Sequence, residues 1–200
     1  MSDHYFSREP ASAPERGVIV AYLRGRRYRF VTASGVFSYK RIDNGTRLLV
    51  ESMELPAEGS LLDVGCGYGV VGIVAAALEP GLRVTLTDVN QRAAGLAREN
   101  VAAMRLGNAE VLEGDLYGPV AGRRFTTIVS NPPISAGMRR VVEPLVSGAL
   151  GHLVDGGMLQ VVVQSNKGGR TLAGFMDESF GGHEVAARGS GYRVLVARVG

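Results

Sequence analysis

Asn131-Pro132-Pro133 and three aspartates, Asp63, Asp88 and Asp115, are the residues of this chain whose types and spacing could do chemistry. Neither proline has an N–H, and a residue that precedes proline is driven out of the helical region. Asn131 and Pro132 are therefore held extended, with their carbonyls committed in direction. Such a tripeptide is a rigid set of acceptors. An exocyclic amine on a base, or a carboxamide nitrogen, is a poor nucleophile because its lone pair is delocalised into the adjacent π-system. If the Asn131 side-chain oxygen and the Pro132 carbonyl each accept one of its hydrogens, the nitrogen turns its lone pair toward an electrophile on the other side. Catalysis is then by orientation and preorganised dipoles. The proton can leave after bond formation, when the nitrogen is cationic, so no strong base is required, and no His or Cys stands in an obvious catalytic setting. The plain alternative is a stiff turn after a strand.

The acids point to what the electrophile is. The apolar run Leu61-Leu62-Asp63-Val64 stops at Gly65, and Cys66-Gly67-Tyr68-Gly69 leads into an apolar, helix-compatible segment from Val70 to Leu78. This is the sequence form of a strand, a tight turn and a helix. Glycines at 65, 67 and 69 remove every Cβ where a small molecule would lie, and the amides opening the helix are expected to be free donors. Gly67-Tyr68-Gly69-Val70-Val71-Gly72 formally matches a dinucleotide fingerprint, with Asp88 about twenty residues on. In that fingerprint the first glycine ends the strand, whereas here the strand ends at Gly65, and the Asp63 carboxylate would repel a pyrophosphate. A cationic ligand fits better. S-adenosylmethionine carries a sulfonium and an ammonium group, and Asp88 is placed to accept from both ribose hydroxyls.

The elements that must position these groups alternate regularly. Strands are predicted at Arg83–Thr87, Glu110–Glu113, Phe125–Ser130 and Met158–Gln164, and helices at Gln91–Met104, Arg139–Leu153 and Gly169–Phe180. His183–Arg188 and Tyr192–Val199 are separated by only Gly189-Ser190-Gly191, too short for a parallel crossover, so they form an antiparallel hairpin. The expected fold is α/β: a three-layer Rossmann-like sandwich on a mostly parallel seven-stranded sheet with one antiparallel strand, ligands binding at the carboxyl ends of its strands. Asp63, Asp88, Asp115 and Asn131 all fall at such ends. Before this unit, Val18–Leu23 and Arg27–Thr32 read as a hairpin around Arg24-Gly25-Arg26, with Arg27 and Arg29 facing away from Tyr28 and Phe30. That hairpin is expected to cap the main sheet's edge. Residues 1–42 are taken as an N-terminal extension and 43–200 as a single compact unit, with Asp43 or Asn44 capping a helix over Leu48–Met53.

Composition narrows the class. The 200 residues are 46% hydrophobic and 20% charged, and no apolar stretch is long enough to cross a bilayer. Residues 1–17 lack the hydrophobic core of a signal peptide, so the expected compartment is the cytoplasm. The single cysteine, Cys66, has no internal disulfide partner, and no Cys/His spacing suggests a metal. A net charge of +3 is too mild to identify a nucleic-acid partner. Arg24, Arg26, Arg27 and Arg29, then Lys40, Arg41 and Arg47, then Arg123, Arg124, Arg139 and Arg140 form basic runs that are either solvated faces or a phosphate-tracking surface.

Taken together these motifs resemble the class I S-adenosylmethionine-dependent methyltransferases, and among them the small-domain family that includes ribosomal RNA guanine-N2 methyltransferases. The resemblance is carried by His4-Tyr5-Phe6-Ser7, Gly35-Val36-Phe37-Ser38-Tyr39, Asp43-x-Gly45-Thr46, Leu62 to Gly69, Asp115-Leu116-Tyr117, Asn131-Pro132-Pro133 and Gly191-Tyr192-Arg193-Val194-Leu195. It implies that Asp63 and the turn Gly65, Cys66, Gly67, Tyr68 and Gly69 hold the methionine part of the cofactor and Thr46 its carboxylate end. Asp88 and Val89 would hold the ribose, Gly114, Asp115 and Leu116 the adenine, and Asn131 would lie at the methyl group. Asn131, Pro132 and Pro133 would be catalytic, and Phe37, Tyr39, Ile134, Arg139 and Arg140 would touch substrate. The guanine enzymes usually place an aromatic after the prolines; this chain has Ile134. The second, degenerate methyltransferase-like domain that some relatives use to help bind RNA is not expected here, so Tyr5, Phe6, Phe37 or Tyr39 would supply stacking. The implied function is methylation of the guanine N2 amine in ribosomal or other structured RNA, with protein glutamine, adenine N6 or a non-catalytic RNA-binding role as alternatives. Oligomeric state is left open.

Overall fold

The computed structural model describes residues 13–200; His4, Tyr5, Phe6 and Ser7 lie outside the described residues. Nine strands and five α-helices follow in order. A two-stranded antiparallel ribbon of β1 (Arg16–Leu23) and β2 (Arg26–Ala33) turns at Arg24 and Gly25, both at positive φ (48° and 74°). That is the backbone a tight hairpin turn needs to match strand twist. Then come α1 (Asn44–Ser52), β3 (Glu58–Val64), α2 (Val70–Leu78), β4 (Gly81–Asp88), α3 (Gln91–Ala103), β5 (Ala109–Glu113) and β6 (Phe125–Ser130). The chain closes with α4 (Glu143–Ala149), β7 (Leu153–Gln164), α5 (Gly169–Phe180), β8 (Glu184–Gly189) and β9 (Tyr192–Arg198).

The main sheet has seven strands in the order β5-β4-β3-β6-β7-β9-β8, parallel except for β9, which runs against both neighbours. The expected architecture is present. After β5 the chain returns to the other side of β3, so the strand order reverses between β3 and β6, where open parallel sheets form their ligand crevice. At this point Ser130 Oγ donates to the Val64 carbonyl at 2.8 Å, tying the two strand ends together. Alternation along the strands feeds two cores. Leu61, Val84, Leu86 and Val162 face α1, α2 and α3, while Leu62, Val64, Val161 and Val163 face α4 and α5. Both faces of β3 are therefore buried, which is why its sequence reads as a continuous apolar run.

Two expectations are corrected. The N-terminal ribbon does not cap the sheet edge; it forms its own sheet and packs over the helical layer. Its side-chain partners explain the choice. Asn100 of α3, fully buried, accepts from Val31 N at 2.7 Å and donates to the Val31 carbonyl at 2.9 Å, filling the open edge of β2. Arg26 donates to the Ala77 carbonyl at 2.8 Å and Arg24 to the carbonyls of Val50 and Met53, so both satisfy orphan acceptors at helix C-termini. The second correction concerns Arg139–Leu153, expected as one helix. Met138–Val142 is a π turn, Glu143–Ala149 is α-helical, and Leu150–His152 is a 3₁₀ turn. Pro144 is the cause: its ring crowds the carbonyl four residues back and it has no N–H, so the helix widens and Glu143 N donates to the Met138 carbonyl instead.

Candidate active site

The carboxyl ends of β5, β4, β3 and β6 meet at a cavity of about 400 Å³, inside the roughly 300–1,000 Å³ range of small-molecule sites. Asp63, Asp88, Asp115 and Asn131 all line it, as do Gly65, Cys66, Gly67, Tyr68, Val89, Gly114 and Leu116. Thr46, Phe37, Pro132, Pro133 and Ile134 line it as well. Gly69, Tyr39, Arg139 and Arg140 do not. Gly69 caps α2 in the left-handed region (φ 95°), and a Cβ there would meet Ile73 at 2.8 Å, so its role is packing. Tyr39 is covered by Lys40, whose Nζ is 5.5 Å from the ring centre. Arg139 and Arg140 are exposed on the π turn, next to Val141, which does reach the cavity.

The glycine turn works differently from the expected cradle of free amides. Gly65 N and Cys66 N both donate to the Thr87 carbonyl, at 2.9 and 3.0 Å, clamping the turn to the end of β4. Gly67 N donates to Asp88 Oδ2 at 2.8 Å and Gly72 N to Asp63 Oδ2 at 2.8 Å. These amides are spent on orienting the two carboxylates. What the turn offers a ligand is room: at Gly65 and Gly67, both at positive φ, a Cβ would meet nothing within 4 Å.

Asp63 and Asp88 give the cavity its electrostatic character. Asp63 is 1% exposed and, among the described residues, neither acid is in a salt bridge. Burial raises the Asp63 carboxyl to about 7, against the lowering effect of the Gly72 N–H and with a further rise from Asp88. Burial likewise raises Asp88 to about 6, while the N–H groups of Asn90 and Gly67 lower it. A buried acid and a half-buried one that raise each other's cost, with no salt bridge to either among the described residues, are unfavourable unless a cationic or hydroxyl-rich ligand offsets them. The donor set therefore fits S-adenosylmethionine and disfavours a pyrophosphate. Asp115 is exposed on the wall, and Leu116 beside it sits at φ 44°, a left-handed conformation that costs a leucine about 1–2 kcal/mol. Burial first, then Asp88 and Asp63, pushes the Cys66 thiol well above its ordinary value, so it is a neutral wall and not a nucleophile.

On the other side of the crevice, Asn131 Nδ2 donates to Thr46 Oγ1 at 2.8 Å and to Asp43 Oδ2 at 3.2 Å. With both amide hydrogens taken, the side-chain oxygen is left for the cavity. The Pro133 carbonyl accepts from Ala136 N at 2.9 Å; no donor to the Pro132 carbonyl is found among the described residues. These two oxygens are the ones the sequence assigns as acceptors for a target amine. Among the lining residues that the sequence did not assign to the site are Asp43, Tyr192 and Lys167. Asp43 was visible as a helix cap and, like Tyr192, as part of a motif without a role, and Lys167 carried no signal at all. Among the described residues no group of His, Cys, Asp and Glu side chains could hold a metal ion, and no helix is long and apolar enough to cross a membrane.

Comparison with known proteins identifies the family. A family model described as methyltransferase small domain matches residues 27–196. The uncharacterized protein YbxB of Bacillus subtilis is 35% identical over 200 residues, 99% of each chain. Ribosomal RNA small subunit methyltransferase C of Yersinia enterocolitica is 38% identical over 172 residues, 84% of this chain and 48% of that one, so the chain spans about half the length of these larger relatives. Among solved structures, the Thermus thermophilus 16S rRNA N2 methyltransferase RsmC, in complex with AdoMet and guanosine, superposes with a TM-score of 0.83 at 25% identity, over 96% of this chain and 52% of that one. The chain belongs to the methyltransferase small-domain family, within the class I S-adenosylmethionine-dependent methyltransferases.

Proposed function

We propose that this enzyme transfers a methyl group from S-adenosylmethionine to the exocyclic N2 amine of a guanine in ribosomal or other structured RNA. The observation that carries the reading is the Asn131 amide, whose oxygen is free to face a cavity that also holds Asp63 and Asp88. When bound, S-adenosylmethionine supplies an electrophilic methyl group on a positively charged sulfur. Asp63 and Asp88, ionised, favour that charge and accept from the ribose hydroxyls. The Asn131 oxygen and the Pro132 carbonyl accept the two hydrogens of the target amine and aim its lone pair. As the N–C bond forms and the S–C bond breaks, the same acceptors stabilise the positive charge growing on nitrogen, and one of its protons then passes to solvent. Phe37, 37% exposed, and Ile134 line the cavity and are the candidates to stack on the base, and the exposed Lys167 is the candidate to meet a phosphate. RsmC, with its guanosine, supports guanine as the base. Such a substrate also puts the reaction in the cytoplasm.

Nucleoside mass spectrometry of ribosomal RNA from a strain lacking the gene tests this. The expected result is loss of N2-methylguanosine at one position, restored by purified protein and S-adenosylmethionine. Loss of N6-methyladenosine instead, or an unchanged RNA with a newly unmethylated protein glutamine, would replace guanine as the substrate.

A further inference from the structure

We propose that Asp43 and Tyr192 are positioning residues that fix which way the Asn131 amide points. The inference deepens the methyl-transfer reading above and rests on it for its kinetic part only. An asparagine side chain has two nearly isosteric orientations. One presents an acceptor to the target amine, and the other presents a second donor that would turn the amine away. Nothing in the tripeptide itself selects between them, because the prolines fix the backbone and leave the amide torsion free. Selection comes from outside. Asp43 Oδ2 and Thr46 Oγ1 take both Nδ2 hydrogens, and a carboxylate accepts only, so the flipped amide would set its oxygen against the Asp43 oxygen.

Asp43 is in turn held from two sides. Its Oδ2 also accepts from Thr46 N at 3.1 Å, where it caps α1, and its Oδ1 accepts from the Tyr192 hydroxyl at 3.2 Å. Tyr192 opens β9, so the hydroxyl ties the loop that carries Asp43 to the main sheet. The ring packs against Gly45, where any Cβ would come within 2.8 Å of ring carbons and 2.9 Å of Asp43 Oδ2. The absence of a side chain at 45 thus belongs to the same arrangement. One carboxylate serves as helix cap, anchor point and amide lock, and only the last of these acts on the reacting group.

The test separates the cap from the lock. Asp43→Ser keeps a good N-cap but is too short to reach Asn131. Turnover at saturating substrates should fall by about 10²-fold, as for a misplaced reacting group, with KM for RNA and the cofactor dissociation constant changed far less. Asp43→Asn, which can present an oxygen to Asn131 and a donor to the Tyr192 oxygen, should recover most of the loss. In the Asn131→Ala background Asp43→Ser should have no further effect. Independently of any substrate, the Asn131 side-chain NH₂ in the cofactor-free protein should exchange slowly by NMR, and faster in Asp43→Ser. Tyr192→Phe, which keeps the ring on Gly45, should show the same acceleration to a lesser degree and is the variant to read if the cap change impairs folding. Unchanged turnover in Asp43→Ser, an equal loss in the Asn131→Ala background, or unchanged amide exchange in both Asp43→Ser and Tyr192→Phe would overturn the proposal. If no RNA is methylated by the wild-type protein, the methyl-transfer reading fails and the exchange measurement still decides the lock.

Discussion

At the scale of single residues, Asp63 and Asp88 make the site's chemistry measurable through protons. Their folded values, about 7 and about 6, lie above the ordinary 3.8 of an aspartate. The folded empty protein therefore holds protons that the unfolded chain has released, so its stability should fall as pH rises from about 4 to about 7 and level off above. Cofactor binding runs the other way. A sulfonium favours the ionised acids, and the amine and carboxylate of the ligand keep their charges across this window. Affinity for S-adenosylmethionine should thus rise from pH 5 to 7, by up to about tenfold per pH unit for each proton released. Calorimetry in buffers of different ionisation enthalpy would count those protons, and an affinity flat from pH 5 to 7.5 would show that the acids do not meet the cationic part of the ligand. Asn131 makes a sharper claim, because it separates chemistry from binding. Asn131→Ala removes an acceptor whose importance grows as the nitrogen becomes cationic, so single-turnover rates should drop by about 10²–10³-fold, by analogy with the loss of one preorganised oxyanion-hole donor. Cofactor affinity should barely move. Asn131→Asp keeps an acceptor for the amine but sets its second oxygen against Asp43 Oδ2, so it should retain only a small part of the activity.

At the scale of elements, the β3–turn–α2 unit divides its glycines between two jobs that mutation can tell apart. A methyl at Gly67 finds open space and faces only the left-handed penalty (φ 59°), about 1–2 kcal/mol. A methyl at Gly72 would lie 2.7 Å from Leu86 side-chain carbons and 3.2 Å from Asp63 Oδ2, an overpacked contact costing about 1–3 kcal/mol. Gly67→Ala should therefore lose more cofactor affinity than Gly72→Ala does relative to its loss of stability in denaturant. Wild-type affinity in Gly67→Ala would mean that the turn does not lie against the ligand. This unit was legible in the sequence because its signals are local: an apolar run, spaced glycines and an acid at the strand's end. The same is true of the β/α alternation. The other features depend on contacts that no window of sequence contains. Asp43 meets Asn131 across 88 residues and Tyr192 across 149, so only its cap with Thr46 could be read. The ribbon's seat on the helices depends on the Asn100 side chain, 69 residues from its Val31 partner. The π turn was hidden for a different reason: Pro144 acts on a carbonyl four residues earlier, in a stretch whose apolar pattern still reads as helix.

At the scale of the whole molecule, the structure sorts a mild excess of positive charge into arginines that build the fold and cations left over for a partner. Arg24 and Arg26 satisfy helix C-termini, Arg123 pairs with Glu110 at 2.7 Å, Arg124 donates to the Leu153 carbonyl, and Arg47 to the Tyr22 carbonyl. Five of the eleven basic residues in the runs seen in the sequence are thus structural. Arg139 and Arg140 remain exposed on the turn whose next residue lines the cavity, and Lys167 lies on its wall. Arg27 and Arg29 stand on the outer face of the ribbon, directly across from the exposed Tyr22 and Val20. An RNA reaching the site is expected to run along these free cations, with an aromatic among them to stack on. Binding should then weaken linearly in the logarithm of salt concentration, and each phosphate contact removed should flatten the slope by roughly 0.7–0.9. Arg139→Ala with Arg140→Ala tests the track beside the cavity, and Arg27→Ala with Arg29→Ala tests its extension over the ribbon. Arg123→Ala removes one charge without touching either surface, so it should cost stability and leave the slope alone. If all three changes flatten the slope equally per charge, the effect is net charge and not a track. If only the pair at the cavity matters, the RNA contacts the catalytic mouth alone, and the ribbon's outer face has no part in binding it.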